Sequence, residues 1–261
     1  MDQATQLRNI IKANAVSNTP KARVFTVTSG KGGVGKSNVS INLAVKLSKM
    51  GKRVVILDAD FGLANIEVMF GAIPKFNLAD LIYKGKSIQD IITQGPEGIG
   101  FISGGSGIAG LTNLSKEYIN YLIQNLQKLD TLYDVIIIDT GAGISSAVLE
   151  FVIASKEIIV VTTPEPTSIT DSYSLLKALS RDARFNREMT RVKIVANKTE
   201  NFEEGKQLFS KLSTVVSRYL KLPMTFVGVI PNDNQLVKAV MQQSPVSISA
   251  PNSKSSLAFD D

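Results

Sequence analysis

The chain has 261 residues, of which 44% are hydrophobic and 20% are charged, and its formal net charge is +6. It contains neither cysteine nor histidine. This composition excludes disulfides, thiolate metal centres, ordinary zinc sites, cysteine nucleophiles and serine–histidine–aspartate triads. Chemistry must therefore come from carboxylates, lysines, hydroxyls and the backbone. No apolar run approaches the ~20 residues of a membrane span, so we expect a cytosolic protein.

The first twenty residues form a segment of their own. Leu7, Ile10 and Ile11 are apolar residues at helical spacing, and a polar, proline-containing stretch follows them. We therefore expect residues 1–20 to be a short helix and a linker in front of the main domain.

Strand-like and helix-like patterns then alternate through residues 21–243. Strands are predicted at 23–28, 53–57, 99–103, 134–138, 157–162, 192–196 and 225–230, and helices at 36–50, 116–130, 167–184, 203–219 and 233–243. This alternation predicts an α/β domain whose mainly parallel sheet is flanked by helices on both faces. Residues 244–261 are rich in Ser, Pro and Asn, and we expect a disordered polar tail there.

A glycine-rich motif follows the first predicted strand. Gly30 to Ser37 read GKGGVGKS, which matches G-x-x-x-x-G-K-[ST] placed between a strand and a helix. Glycines let backbone N–H groups turn toward phosphate oxygens, and the helix N-terminus adds its positive dipole. Lys36 would neutralise phosphate charge and Ser37 would offer its hydroxyl to Mg²⁺. The motif predicts a nucleotide triphosphate site.

Three carboxylates follow two other predicted strands. Asp58 and Asp60 come after RVVIL, and Asp139 comes after VIII. Ligands of open α/β sheets bind at the carboxyl ends of the strands. Phosphoryl transfer needs a metal and a positioned water there, so these residues are candidates for both tasks.

With KGGVGKS, DADFGLAN and IIIDTGAG in this order, the chain resembles the MinD/ParA class of P-loop ATPases. The resemblance implies Mg²⁺ and ATP as cofactors and an ATP-bound homodimer. Lys31 would reach the partner's phosphates, Lys36 would bind phosphate, and Asp60 would position the hydrolytic water. Ser37, Asp58 and Asp139 would organise Mg²⁺.

The same resemblance implies a full set of nucleotide-binding residues. They are Gly30, Lys31, Gly32, Gly33, Val34, Gly35, Lys36, Ser37, Asn38, Glu165, Asn197, Pro231, Asn232 and Asp233. Glu165 would contact the opposing ribose, Asn197 would bind adenine, and the loop from Pro231 to Asp233 would line the base through its backbone. Residues 197–200 read NKTE, close to the guanine-binding N-K-x-D of GTPases. Glutamate in the last position favours adenine, and GTP stays an alternative.

Within the class, the absence of cysteine argues against nitrogenase iron protein, iron–sulfur carriers and arsenite pumps. DADFGLANIEVMFG, TTPEPTSITDSYSLLK and Gly141 in DTGAG resemble the FlhG (YlxH/FleN) family, whose members regulate the number or placement of flagella. The N-terminal sequence DQATQLR fits the family's activator segment. The resemblance implies that Asp2, Gln3, Ala4, Leu7 and Arg8 bind and stimulate an FlhF-type GTPase, with Gln3 near the partner's water.

Several alternatives remain open at this stage. They are a MinD-type division-site ATPase, a ParA-type DNA segregation ATPase and a metabolic P-loop enzyme. Flagellar switch or C-ring components are further candidate partners. Members of the class typically end in a basic amphipathic helix that binds the membrane, and the C-terminal sequence here shows none. We therefore expect a cytoplasmic location, with peripheral binding at the inner face of the membrane as the alternative. The arginine series Arg181, Arg184, Arg187 and Arg191 is more typical of a solvated helix edge than of a DNA surface.

Overall fold

The computed structural model describes residues 21–61, 63–105 and 114–260. The predicted N-terminal segment, residues 1–20, lies outside them. The strands are β1 (Arg23–Ser29), β2 (Val54–Ala59), β3 (Thr93–Gln94), β4 (Gly100–Ile102), β5 (Val135–Ala142), β6 (Glu157–Thr162), β7 (Arg191–Thr199) and β8 (Met224–Pro231). They form one sheet in the order β3-β4-β2-β5-β1-β6-β7-β8. All neighbours are parallel except β3, which pairs with β4 in antiparallel register.

Helices connect the strands and cover both faces of the sheet. They are α1 (Lys36–Lys49), α2 (Asn65–Phe70), α3 (Leu78–Tyr83), α4 (Lys116–Gln127), α5 (Ser146–Ala154), α6 (Pro166–Arg181), α7 (Phe202–Leu220), α8 (Asn234–Met241), α9 (Val246–Ser249) and α10 (Lys254–Leu257). The predicted α/β fold is confirmed, and each strand and helix predicted for residues 21–243 is present. No helix in these described ranges is long and apolar enough to cross a membrane.

The core lies on both faces of the central strands. Ile56 of β2 and Ile137 of β5 pack on the face covered by α1. Leu57 and Ile138, the next residue on each strand, pack on the opposite face with α3 and α4. Successive side chains of a strand point to opposite faces, so strands covered on both sides need apolar residues in succession. This burial holds the carboxyl ends of β1, β2 and β5 side by side.

The C-terminal segment is folded, and the predicted disordered tail at residues 244–261 is wrong for the described part up to residue 260. Val246 is fully buried, and the Ser247 N–H donates to Asn42 Oδ1 on α1 at 2.9 Å. Asp233 Oδ2 accepts from both the N–H and the hydroxyl of Ser255, at 3.0 and 2.9 Å. Small polar residues here satisfy backbone groups and cap short helices, so a disorder-like composition belongs to the domain itself.

Val246→Ala tests this assignment. The substitution removes two buried methyl groups, so we expect the free energy of unfolding to fall by about 1.5–3 kcal/mol. Urea denaturation measures the change. Asn252→Ala, at an exposed position of the same segment, is the matched control and should change stability by no more than about 0.5 kcal/mol. Equal, negligible effects of both substitutions would contradict a packed C-terminus.

Candidate nucleotide and magnesium site

The glycine-rich loop joins β1 to α1 with two residues in left-handed conformations. Gly33 has φ +73° and Gly35 has φ +95°. A Cβ atom on Gly35 would lie 2.3 Å from the side-chain nitrogen of Asn197. No side chain from the described residues caps α1, which leaves its first N–H groups directed at the loop. This geometry suits an anion at the helix N-terminus.

Asp58 and Asp139 occupy directly paired positions at the carboxyl ends of β2 and β5. Both side chains are fully buried. Burial, together with the neighbouring charge of Asp139, raises the pKa of Asp58 to about 8. Burial also raises the pKa of Asp139 to about 6, although hydrogen bonds from Ser37 and Ser40 oppose that rise. Two buried carboxylates this close call for a cation between or beside them.

The hydrogen bonds around these carboxylates leave one acceptor free. Asp58 accepts from the backbone N–H groups of Asp60 and Ile66, at 3.2 and 3.1 Å. Asp139 Oδ1 accepts from the Ser40 hydroxyl at 2.8 Å, but the buried Oδ2 of Asp139 has no partner. An orphaned buried carboxylate oxygen is the group that Mg²⁺ or one of its waters would satisfy.

The donor set fits magnesium better than a metal held by protein alone. No cluster of three or more acidic, histidine or cysteine ligands occurs in the parts of the chain that the structure describes. Mg²⁺ keeps several waters and is held by one or two protein oxygens together with substrate phosphates. Ser37, Asp58 and Asp139 can supply such oxygens, and buried Lys36 adds positive charge at the same end of the sheet. The site is therefore complete only with a phosphate ligand.

Asp60 is held at the rim of this site by a residue that the sequence did not single out. Asn65, the first residue of α2, donates from Nδ2 to Asp60 Oδ2 at 3.1 Å. A Cβ atom on Gly141 would lie 3.0 Å from Asp60 Oδ1, so glycine leaves room for this carboxylate. Asp60 is thereby held between the start of α2 and the carboxyl end of β5.

Lys31 folds back onto its own chain. Its Nζ lies 2.5 Å from Glu165 Oε2 and 2.9 Å from Thr167 Oγ1 at the start of α6. The ion pair is largely exposed, with 34% of the lysine and 58% of the glutamate side chain accessible. Lys31 is thus at the surface of the site, where a second molecule could receive it.

Asn197 and its neighbour contact the loop from the other side. Asn197 Nδ2 donates to the Val34 carbonyl at 2.7 Å, and its Oδ1 accepts from the Lys198 N–H at 2.8 Å. Lys198 Nζ donates to the Gly33 carbonyl at 2.8 Å. Asn197 can still make one further bond at each polar atom, which is what adenine recognition requires.

Asn232 and Asp233, which the sequence assigned to the loop around the base, differ in their contacts. The Asn232 N–H donates to the Thr199 carbonyl at 2.8 Å, which ties the loop after β8 to the end of β7 next to Asn197. Asp233 instead caps α8 through Gln235 N–H at 2.9 Å and holds Ser255, so its carboxylate is occupied and only its backbone can face a base. Sequence reasoning missed two residues that contact the site, Ser40 and Lys198. A serine in a helix and a lysine in a loop show no pattern that distinguishes them from ordinary residues of those elements.

Asp139→Asn tests the burial of charge at this site. Folding raises the pKa of this carboxyl from 3.8 to about 6, so stability is lost as pH rises between these two values and the loss is complete above about 6. We expect the substitution to increase the free energy of unfolding at pH 8 in EDTA by about 1–3 kcal/mol, and by less at pH 5. Urea denaturation at both pH values is the measurement. Lower stability of the variant than of the parent at pH 8 would contradict this electrostatic account.

Comparison with known proteins assigns the chain to a family. The model described as "ParA: NUBPL iron-transfer P-loop NTPase" matches residues 21–261. The chain has no cysteine, so it lacks the thiolates that hold iron–sulfur clusters. It is 44% identical to the antiactivator FleN of Pseudomonas aeruginosa over 91% of this chain and 83% of FleN. It is 33% identical to the flagellum site-determining protein YlxH of Helicobacter pylori over 99% of this chain and 88% of YlxH.

Solved structures show the same fold. The cell division ATPase MinD of Pyrococcus furiosus superimposes with a TM-score of 0.75 at 23% identity, covering 91% of this chain and 95% of MinD. MinD of Pyrococcus horikoshii, solved with Mg-ADP, gives 0.76 at 23% identity over 91% and 93% of the two chains. The chain therefore belongs to the ParA family of P-loop NTPases, is an ATPase, and is a member of the group that contains FleN and YlxH.

Proposed function

We propose that this protein is a Mg·ATP-dependent switch that dimerises on binding ATP and regulates the number or placement of bacterial flagella. The observation that carries the proposal is the 44% identity with FleN across nearly the whole chain. Identity with Helicobacter pylori MinD is lower, 33% over 86% of this chain. The output of such a switch is a binding state, and ATP hydrolysis resets it.

The exposed position of Lys31 supports a dimer in the ATP state. Exposed ion pairs contribute little to stability, so the bond to Glu165 can be exchanged for phosphate oxygens of a facing molecule at small cost. Two copies placed face to face would then supply Lys31 to each other's ATP. Glu165, released by the same exchange, would be free to contact the opposing ribose.

Within the site, this chain's residues divide the work of hydrolysis. Bound Mg²⁺ would neutralise developing phosphate charge, and Ser37, Asp58 and Asp139 would hold it. Lys36 and the loop N–H groups would hold the phosphates of the same chain, and Lys31 those of the partner. Asp60, positioned by Asn65, would orient the attacking water.

The partner that we propose is inferred from the N-terminal segment. The match to YlxH spans 99% of this chain, so it extends into residues 1–20. We propose that Asp2, Gln3, Ala4, Leu7 and Arg8 bind an FlhF-type GTPase and accelerate its GTP hydrolysis. Leu7 would contribute apolar contact in a groove of the partner. Gln3 would assist the partner's water without changing charge.

The arginine series gives little support to DNA binding. Arg184 donates to both oxygens of Glu150, at 2.7 and 2.9 Å, and also pairs with Asp182. Arg187 donates to the carbonyls of Ser180 and Leu220. These guanidinium groups already make hydrogen bonds within the domain, so we do not propose a DNA segregation function.

Lys31→Ala tests the dimeric catalytic site. We expect ATP to bind with little change in affinity, because the substitution leaves the loop N–H groups and Lys36 in place. ATP turnover should fall about 10²–10³-fold, the usual effect of losing one charge-stabilising donor. Lys211→Ala, an exposed lysine on α7, is the matched control and should hydrolyse ATP like the parent. Full activity of the Lys31 variant would contradict the role in catalysis.

A peptide covering residues 1–20 tests the partner. Added to an FlhF-type GTPase from the same genome, it should accelerate GTP turnover measured by phosphate release. A Gln3→Ala peptide should bind equally well but lose the acceleration, since only the polar group near the water is removed. Failure of both the peptide and the full chain to change turnover would refute this part of the proposal.

A further inference from the structure

A groove of about 460 Å³ opens at the amino-terminal ends of the strands, on the side of the domain opposite the nucleotide site. It lies beside the amino ends of β1 and β6 and the carboxyl-terminal half of α4. Its lining includes the apolar side chains of Val24, Ile123, Leu126, Ile136, Ile138 and Ala154. Charged side chains surround it, among them Asp130 and Lys156. An apolar groove within a polar rim is typical of a binding surface.

The chain enters the folded domain at this groove. Lys21 and Ala22, the first described residues, are part of its lining. Residue 20 is therefore joined directly to a residue that lines the groove. Ile11 and Lys21 are ten positions apart in the sequence, with nine residues between them, and an extended stretch of ten steps reaches at most about 33–36 Å. A tether this short keeps the segment at an effective concentration in the millimolar range, so a weak apolar contact suffices for docking.

The sequence of the segment matches the chemistry of the groove. Leu7, Ile10 and Ile11 are apolar residues at helical spacing and would form one stripe. The groove walls expose aliphatic side chains, with Ile123 partly accessible and Ala154 exposed. Burying such a stripe against such walls is favourable in proportion to the apolar area removed from water.

We propose that the protein's own N-terminal segment docks in this groove through Leu7, Ile10 and Ile11. The groove lies at the amino-terminal ends of the strands and the nucleotide site lies at their carboxyl-terminal ends, so docking leaves the nucleotide site open. Docking also buries the apolar side chains that the segment would present to a GTPase. Only that second consequence rests on the proposed function, because docking itself needs no partner protein.

Cysteine cross-linking tests the docked position, because the native chain has no cysteine. Asn14→Cys lies three and four residues beyond Ile11 and Ile10, on the same predicted helix face, and leaves the stripe intact. Gln127→Cys lies on the groove lining and is exposed. In the full-length double variant under mild oxidation, we expect a rapid disulfide within one chain, seen as a mobility shift on a non-reducing gel.

The matched control pairs Asn14→Cys with Lys52→Cys. Lys52 is exposed at the same edge, just before β2, which lies two strands or about 10 Å from β1. A freely moving tether would reach both positions, so equal cross-linking rates of the two pairs would overturn the proposal. A disulfide between two chains would assign the groove to a second copy and overturn it as well.

Limited trypsin digestion of the full chain gives an independent test without cysteine. Ala154→Arg fills the groove from an exposed position, and Ala183→Arg adds the same side chain at an exposed position outside the lining. We expect severalfold faster cleavage after Arg8 and Lys12 in the Ala154 variant than in the Ala183 variant. Identical cleavage rates would leave the groove to some other ligand and overturn the proposal.

Discussion

The structure depends on two carboxylates, Asp58 and Asp139, that are buried side by side at the ends of neighbouring parallel strands. Their pairing follows from the register of β2 and β5. Burial there raises both pKa values, and the free oxygen of Asp139 lacks a partner. The packed sheet therefore maintains a site that is electrostatically incomplete without a cation. Parallel strands, the loop glycines and Lys36 all serve that site.

In the proposed switch, the same two carboxylates would connect the nucleotide state to the protein surface. Asp58 accepts from the Ile66 N–H of α2, and Asp60 accepts from Asn65 at the start of the same helix. A ligand that binds either carboxylate therefore acts on groups that are hydrogen-bonded to α2. In the proposed dimer, Lys31 would exchange its exposed partner Glu165 for a phosphate of the facing molecule. Both connections would link a bound phosphate to the face where the proposed second molecule would lie.

Much of the fold could be predicted because its signals are local. The strands are short apolar runs, and the long helices alternate with them. Helix α5 was missed because SAVLEFVIA is apolar nearly all round and has no polar face to mark its period. The two-residue strand β3 is too short to leave a sequence pattern. The C-terminal segment was predicted wrongly because its order comes from distant partners, Asn42 and Asp233, which composition does not reveal.

The candidate site was predictable to a different degree at each position. The loop and the strand-end carboxylates have fixed spacing relative to strands, so the sequence predicted them together. The bonds from Asn65 to Asp60 and from Ser40 to Asp139 depend on how helices lie over the sheet. Asn197 has a motif, but its bond to the loop carbonyl of Val34 required the structure. Local spacing therefore identifies the candidate phosphate- and metal-binding residues, whereas tertiary packing determines which other residues hold them in position.

The most direct test of the account is the molecular mass of the Asp60→Ala protein in solution. Sedimentation velocity with saturating Mg·ATP, and again with Mg·ADP, measures it. Without a residue to orient the water, ATP should persist, and the variant should sediment as a dimer with ATP and as a monomer with ADP. A protein that binds ATP but stays monomeric would contradict the ATP-dependent dimer on which the proposed switch depends.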